Sequence, residues 1–137
     1  MRVVLDSNIL FSALITPHSP PHLIYQAWRR GVFELVTCDE QLDEIRRASR
    51  YPKFKTILQP HRVGLMVNNM QRAIVIENLL SSGYETADPA DAWLLALADK
   101  AKADYLVTGD KRAGILSLHN LGKTRIVTAF CFCEMVI

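Results

Sequence analysis

Four carboxylates stand where a strand is expected to end or a helix to run beside one: Asp6, Glu44, Asp91 and Asp110. Asp6 follows Val3-Val4-Leu5, a short run that reads as a buried strand. Asp110 follows Leu106-Val107-Thr108-Gly109, the end of another. Asp91 falls in the first turn of a helix that opens at Asp88-Pro89, and Glu44 falls inside a helix expected over 39–50. Carboxylates drawn to one place repel each other unless a cation holds them. Oxygen donors with no His or Cys among them suit a hard ion, Mg2+ or Mn2+. Such an ion at a phosphodiester makes hydroxide available near neutral pH and offsets charge on the phosphate oxygens. The chemistry that fits these residues is metal-assisted attack of water on a phosphodiester.

Each acid also has an ordinary reading. Asp6 is a suitable turn residue, bonding its own backbone. Asp88-Pro89-Ala90-Asp91 has the form of a capping box, with Asp91 near the positive end of a helix. Glu44, beside Arg46 and Arg47, reads as a surface charge, and Asp110 after Gly109 as a turn. Taken singly, each acid favours the ordinary reading. Taken together at their expected positions, they favour a site.

Their positions depend on the elements that carry them. Strands are expected at 3–5, 33–36, 73–76, 105–108 and 124–127. Helical spacing fills 9–15, 22–30, 39–50, 62–72 and 88–102, with Gly31 stopping the second of these and Thr128 capping a last helix. Leu42, Ile45 and Ser49 are expected to face inward, and 81–84 reads as loop. Short apolar strands separated by helices imply crossover connections and a doubly covered parallel sheet. The expectation is an α/β protein with a mainly parallel sheet of about five strands. In such sheets a site lies at the carboxyl ends of the strands, where the strand order reverses.

The bulk properties exclude several classes. The chain of 137 residues suits one domain over 1–137, and its composition, 50% apolar and 22% charged, is that of a globular protein. The longest apolar stretch, 9–15, is broken by Ser12 and is too short to cross a bilayer. Asp6 interrupts the N-terminal run before a signal sequence forms. Three cysteines, two of them in an apolar tail, read as reduced, buried thiols of a cytoplasmic protein. Cys131-Phe132-Cys133 as a metal pair lacks a second cluster to complete it. Net charge is +2, yet Arg46, Arg47, Arg50, Lys53 and Lys55 crowd one segment, either a phosphate-binding stripe or a solvated helix face. Phe11, Leu14, Leu23 and Trp28 either pack inside or leave an apolar surface for a partner.

Val4-Leu5-Asp6-Ser7-Asn8, then Glu44-Ile45, then Asp88-Pro89-Ala90-Asp91-Ala92, then Ala103-Asp104-Tyr105-Leu106-Val107-Thr108-Gly109-Asp110 resemble the PIN-domain ribonucleases, and among them the VapC-like toxins of toxin–antitoxin pairs. No one of these motifs is specific; their order and spacing together are. The resemblance implies a three-layer α/β/α fold and Mg2+- or Mn2+-dependent cleavage of single-stranded RNA. It also implies a homodimer and a small antitoxin protein that blocks the site. Asp6, Glu44, Asp91 and Asp110 match the family's acidic quartet, with Asp6 as the central metal ligand. Ser7 or Asn8 would orient Asp6 or a bound water, and Asp88 and Thr108 are expected in the same supporting role.

The chain departs from the pattern after Asp110. Many relatives have an acid where Arg112 stands. Either a single ion binds tightly, or Lys111 and Arg112 touch RNA phosphates, as Arg46 and Arg47 would, or Arg112 is a surface residue. Other chemistries fit less well. A haloacid-dehalogenase-type phosphatase needs a second Asp where Asn8 stands, and a receiver domain needs acids before its strand-end Asp, which Asp6 is too early to follow. No Gly-rich loop follows the first strand, which disfavours a nucleotide-binding module. A non-catalytic RNA- or partner-binding domain is the remaining alternative.

Overall fold

The computed structural model describes residues 1–77, 79, 89–109, 113–116 and 118–137, with the backbone alone described at 89–91 and 113–114. Among the described residues, six strands form one sheet: β1 (Arg2–Leu5), β2 (Glu34–Cys38), β3 (Ile74–Ile76), β4 (Tyr105–Thr108), β5 (Asn120–Leu121) and β6 (Thr124–Thr128). The order is β3-β2-β1-β4-β6-β5. Every pairing is parallel except β5 with β6. The count exceeds the expected five because of β5. It has two residues, too few for any alternation of side chains to register in the sequence.

The helices are α1 (Ser7–Ile15), α2 (Pro20–Arg29), α3 (Asp39–Ala48), α4 (Pro52–Lys55), α5 (Pro60–Gln71), α6 (Pro89–Ala101), α7 (Ala113–Leu116) and α8 (Ala129–Val136). Several begin before the apolar spacing does, because a cap or a proline starts them. Asp6 caps α1, Ser19 caps α2 just before Pro20, and α5 opens on Pro60. Thr128 caps α8, its hydroxyl accepting from the Cys131 N–H at 3.2 Å. β2 runs to Cys38 rather than Val36, because Thr37 and Cys38 pair with Val75 and Ile76 of β3.

Successive strand residues point to opposite faces, and both faces are covered. Val3, Leu5, Leu35 and Val107 enter one core with the apolar sides of α1, α2, α3, α5 and α8. Val4, Val36, Leu106 and Ile126 enter the other with α6 and Ile115 of α7. These are the three layers. The change of face follows from the strand order. From β1 the chain steps outward to β2 and β3, then crosses back to β4 on the far side of β1. Right-handed crossovers in opposite directions place their helices on opposite faces. The order therefore reverses between β1 and β4.

One open alternative is decided and two expectations are corrected. Phe11 and Trp28 are buried and Leu14 packs against the same core, so of the four apolar residues held in reserve only Leu23 is exposed. The inward stripe of α3 is Gln41, Leu42, Ile45 and Ala48, with Ser49 only half buried. Of the cysteines only Cys38 is fully buried. α8 turns Ala129 and Phe132 inward, three residues apart on one side, which leaves Cys131 exposed and Cys133 half buried. No helix among the described residues is long and apolar enough to cross a membrane.

Candidate active site

The carboxyl ends of β1 and β4 meet at the point where the strand order reverses. Leu5 pairs with Val107, and the Asp6 N–H continues the ladder to the Val107 carbonyl at 2.9 Å. The next turn of chain is α1, so Asp6 sits at the junction of strand and helix. Its side chain is 1% exposed. Oδ1 accepts from the Asn8 N–H at 3.2 Å, and Oδ2 accepts from the Thr108 hydroxyl at 2.9 Å. The ordinary reading of Asp6 is thus realised in part: it caps a helix. It also meets Thr108 from a strand 102 residues away, which a local turn would not require.

Ser7 and Asn8 part company. Ser7 turns inward and is 1% exposed, while the Asn8 side chain stands in solvent and its backbone does the bonding. Ser7 Oγ faces Gln41 of α3, whose Nε2 lies 3.4 Å away. The same Nε2 donates to the Leu5 carbonyl at 2.6 Å, and Gln41 Oε1 accepts from the Thr37 hydroxyl at 2.6 Å. Thr37 and Gln41, both fully buried, were not foreseen from the sequence. The signal was present: Gln41 lies four residues before Ile45, on the inward stripe of its helix.

Glu44 lies one turn beyond Gln41, so both side chains leave the same side of α3. It is half buried and has no hydrogen-bond or ion-pair partner among the described residues. Asp91 falls in the first turn of α6. That helix leads from β3 back to the start of β4, so its N-terminus belongs to the edge that carries Asp6. The Asp91 side chain, Asp88, Asp110, Lys111, Arg112 and the loop 81–84 lie outside the described residues. Among the described residues no three His, Cys, Asp or Glu side chains gather closely enough to hold a metal ion.

The donors that are described still fit a hard cation in kind: Asp6 and Glu44 offer carboxylate oxygens alone. The thiol at the end of β2 does not compete. Burial pushes Cys38, at the end of β2, up from its ordinary 9.0 to about 12, so it stays a neutral thiol.

An open groove of about 620 Å3 starts at Asn8, Thr108 and Gly109 and continues past Lys53, Phe54 and Phe130. Phe54 stacks on Phe11 with ring centroids 5.4 Å apart, and the Lys53 ammonium stands 5.2 Å from the Phe54 ring. Phe130 is 61% exposed. Farther along α3, Arg46 pairs with Asp43 at 3.2 Å, while Arg47 and Arg50 have no such partner among the described residues. These three arginines rim a separate shallow depression of about 260 Å3.

No curated protein matches the chain significantly. A model of the PIN domain matches residues 2–112, from the first residue of β1 to beyond the end of β4. That span includes both strands of the switch point and the helices between them, and it is well over half of the chain. The chain belongs to the PIN-domain family, whose members are generally nucleases.

Proposed function

We propose that the chain is a Mg2+- or Mn2+-dependent endoribonuclease that hydrolyses single-stranded RNA in the cytoplasm, as the toxin of a toxin–antitoxin pair. The observation that carries this reading is the Asp6 carboxylate, buried at the switch point and held by a donor on each oxygen. A carboxylate so fixed is aimed rather than mobile. In this reading Asp6, Glu44, Asp91 and Asp110 hold the ion. When bound, the ion supplies Lewis acidity and an activated water near neutral pH. Thr108 and the Asn8 N–H keep Asp6 turned, and Asp88 supports Asp91 at the start of α6.

The groove supports an unpaired strand as substrate. It leaves the acid edge beside Asn8 and Thr108 and offers a cation, Lys53, and aromatic side chains, Phe54 and Phe130. Cations follow a phosphate backbone and aromatic faces stack on unpaired bases of any sequence. Lys111 and Arg112 are further RNA contacts in this proposal. Arg47 serves the same role better than Arg46, whose charge is partly offset by Asp43. The toxin assignment rests on the resemblance of these motifs to the VapC-like group. It carries with it a homodimer and a small antitoxin that covers the acid edge.

The test is incubation with labelled single-stranded RNA in Mg2+, Mn2+ or chelator, with and without the product of an adjacent small reading frame. Cleavage should require metal and should stop when that product binds. Asp6→Asn retains an oxygen to cap α1 but should lower cleavage by at least about a hundredfold with an unchanged far-UV spectrum. Mn2+ should also raise the melting temperature of the wild type more than that of Asp6→Asn, since a ligand at about 100 times its Kd adds roughly 2.7 kcal/mol to the folded state. Cleavage in chelator, or full activity in Asp6→Asn, would sink the metal-nuclease reading. RNA binding without cleavage in either metal would leave a non-catalytic RNA-binding domain. A nuclease that no neighbouring product inhibits would lose the toxin assignment alone.

A further inference from the structure

We propose that Gln41 is a positioning residue for Asp6, setting the carboxylate of β1 against α3 and so against Glu44. The proposal rests on the reading of Asp6 as a ligand. The Leu5–Asp6 peptide is pinned at both ends: its N–H donates to Val107 of β4 at 2.9 Å, and its carbonyl accepts from Gln41 Nε2 at 2.6 Å. The same Nε2 faces Ser7 Oγ at 3.4 Å, so Gln41 bonds the chain on either side of Asp6. The amide orientation follows from the partners, because the Leu5 carbonyl can only accept. Oε1 then faces Thr37, whose hydroxyl donates at 2.6 Å.

Packing alone would not select this residue. Gln41 is fully buried on a stripe with Leu42, Ile45 and Ala48, where an apolar side chain would avoid the desolvation of an amide. What an apolar residue cannot do is fix the rotation and height of α3 against the end of β1. Glu44 is one turn farther along the same side of that helix. Holding Gln41 to Leu5 and Ser7 therefore holds the two acids in one relation.

The test is Gln41→Met, similar in length and unable to make these bonds, beside Thr37→Val and a remote core control, Met66→Ala of α5. The readouts are amide exchange at Asp6 and Asn8, Mn2+ affinity, and kcat against KM for single-stranded RNA. For Gln41→Met we expect exchange at these two amides, Mn2+ Kd and kcat each to worsen by about tenfold, with KM unchanged. Thr37→Val should move the same quantities in the same direction by less, and it serves alone if Gln41→Met does not fold. Met66→Ala should lower only the melting temperature. A Gln41→Met protein that behaves like Met66→Ala overturns the proposal. If the wild type neither binds Mn2+ nor cleaves RNA while exchange at Asp6 and Asn8 still quickens in Gln41→Met, the nuclease reading fails and the positioning stands.

Discussion

Asp6 serves the fold, and in the proposed reading the site, with the same two oxygens. Through Oδ1 it starts α1, and through Oδ2 it is tied to the end of β4. Thr108 is fully buried, and valine matches its shape while lacking the hydroxyl that donates to Asp6. Thr108→Val should therefore leave the packing of β4 intact and remove this one bond to Asp6. We expect about a tenfold fall in kcat with KM for RNA unchanged. Stability should fall by about 1.5–3 kcal/mol, the worth of a hydrogen bond to a charged group. Steady-state kinetics and urea denaturation measure the two effects. An unchanged kcat together with reduced stability would show that Thr108 serves the fold alone.

At the scale of the element, two helices end in the same way but with different residues. After α2 the Gly31 N–H reaches the Trp28 carbonyl at 2.9 Å and the Val32 N–H reaches Ala27 at 3.0 Å, with Gly31 at φ +82°. After α6 the Lys102 N–H reaches Asp99 at 3.1 Å and the Ala103 N–H reaches Ala98 at 3.0 Å, with Lys102 at φ +50°. Both are Schellman ends, which favour glycine because a Cβ is strained in the left-handed region. Lys102 is exposed, so its side chain leaves no core gap when removed. Lys102→Gly should stabilise the protein by about 0.5–1 kcal/mol after glycine's greater freedom in the unfolded chain is counted. A thermal scan should show a rise of a few degrees. A lower melting temperature would mean that the lysine stem contributes more than its backbone strain costs. Because α6 carries Asp91 at its other end, the same variant asks whether steadying that helix alters cleavage.

Across the whole molecule the two edges of the sheet differ in kind. At the amino edge Asp104 accepts the Arg2 N–H at 2.8 Å, and Lys123 stands 3.6 Å from it. The backbone hydrogen bond, helped by Lys123, lowers the Asp104 pKa from 3.8. A lowered carboxyl contributes stability above its unfolded value, lost as pH falls through the folded one. That contact is exposed and small. The thiols report the layers more sharply. Burial raises Cys38 to about 12 and raises Cys133 as well, whereas Cys131 is exposed on α8. At pH 8 a thiol reagent such as Ellman's should take Cys131 first, Cys133 more slowly, and Cys38 only as the protein unfolds. The raised Cys38 pKa has the opposite sign to Asp104. Its neutral thiol is compatible with folding below the ordinary 9.0, and stability is lost as pH climbs toward about 12. Cys38→Ala should remove that part of the alkaline loss in denaturation curves at pH 8 to 11. Prompt labelling of Cys38 in native buffer would contradict the buried end of β2.

The sequence alone determined the class of fold and the location of Asp6. Short apolar runs separated by amphipathic stretches admit little besides a doubly covered parallel sheet, and a carboxylate directly after the first run must then lie at its carboxyl edge. Gly31 and Thr128 were legible because their roles are local, each settled by the conformation of one turn. The short elements β5 and α4 were not, since two and four residues carry no period. Nor was the shared support of Asp6. Thr108 reaches it across 102 residues and Gln41 reaches Leu5 across 36, and no spacing along a chain encodes which strands become neighbours. The fate of the apolar surplus was decided in the same way. Whether Phe11 and Trp28 face a partner or a core depends on what closes over them, Phe54 of α4 stacked on Phe11 and α8 packed against α2, and that closure exists only once the chain has brought distant helices to one face.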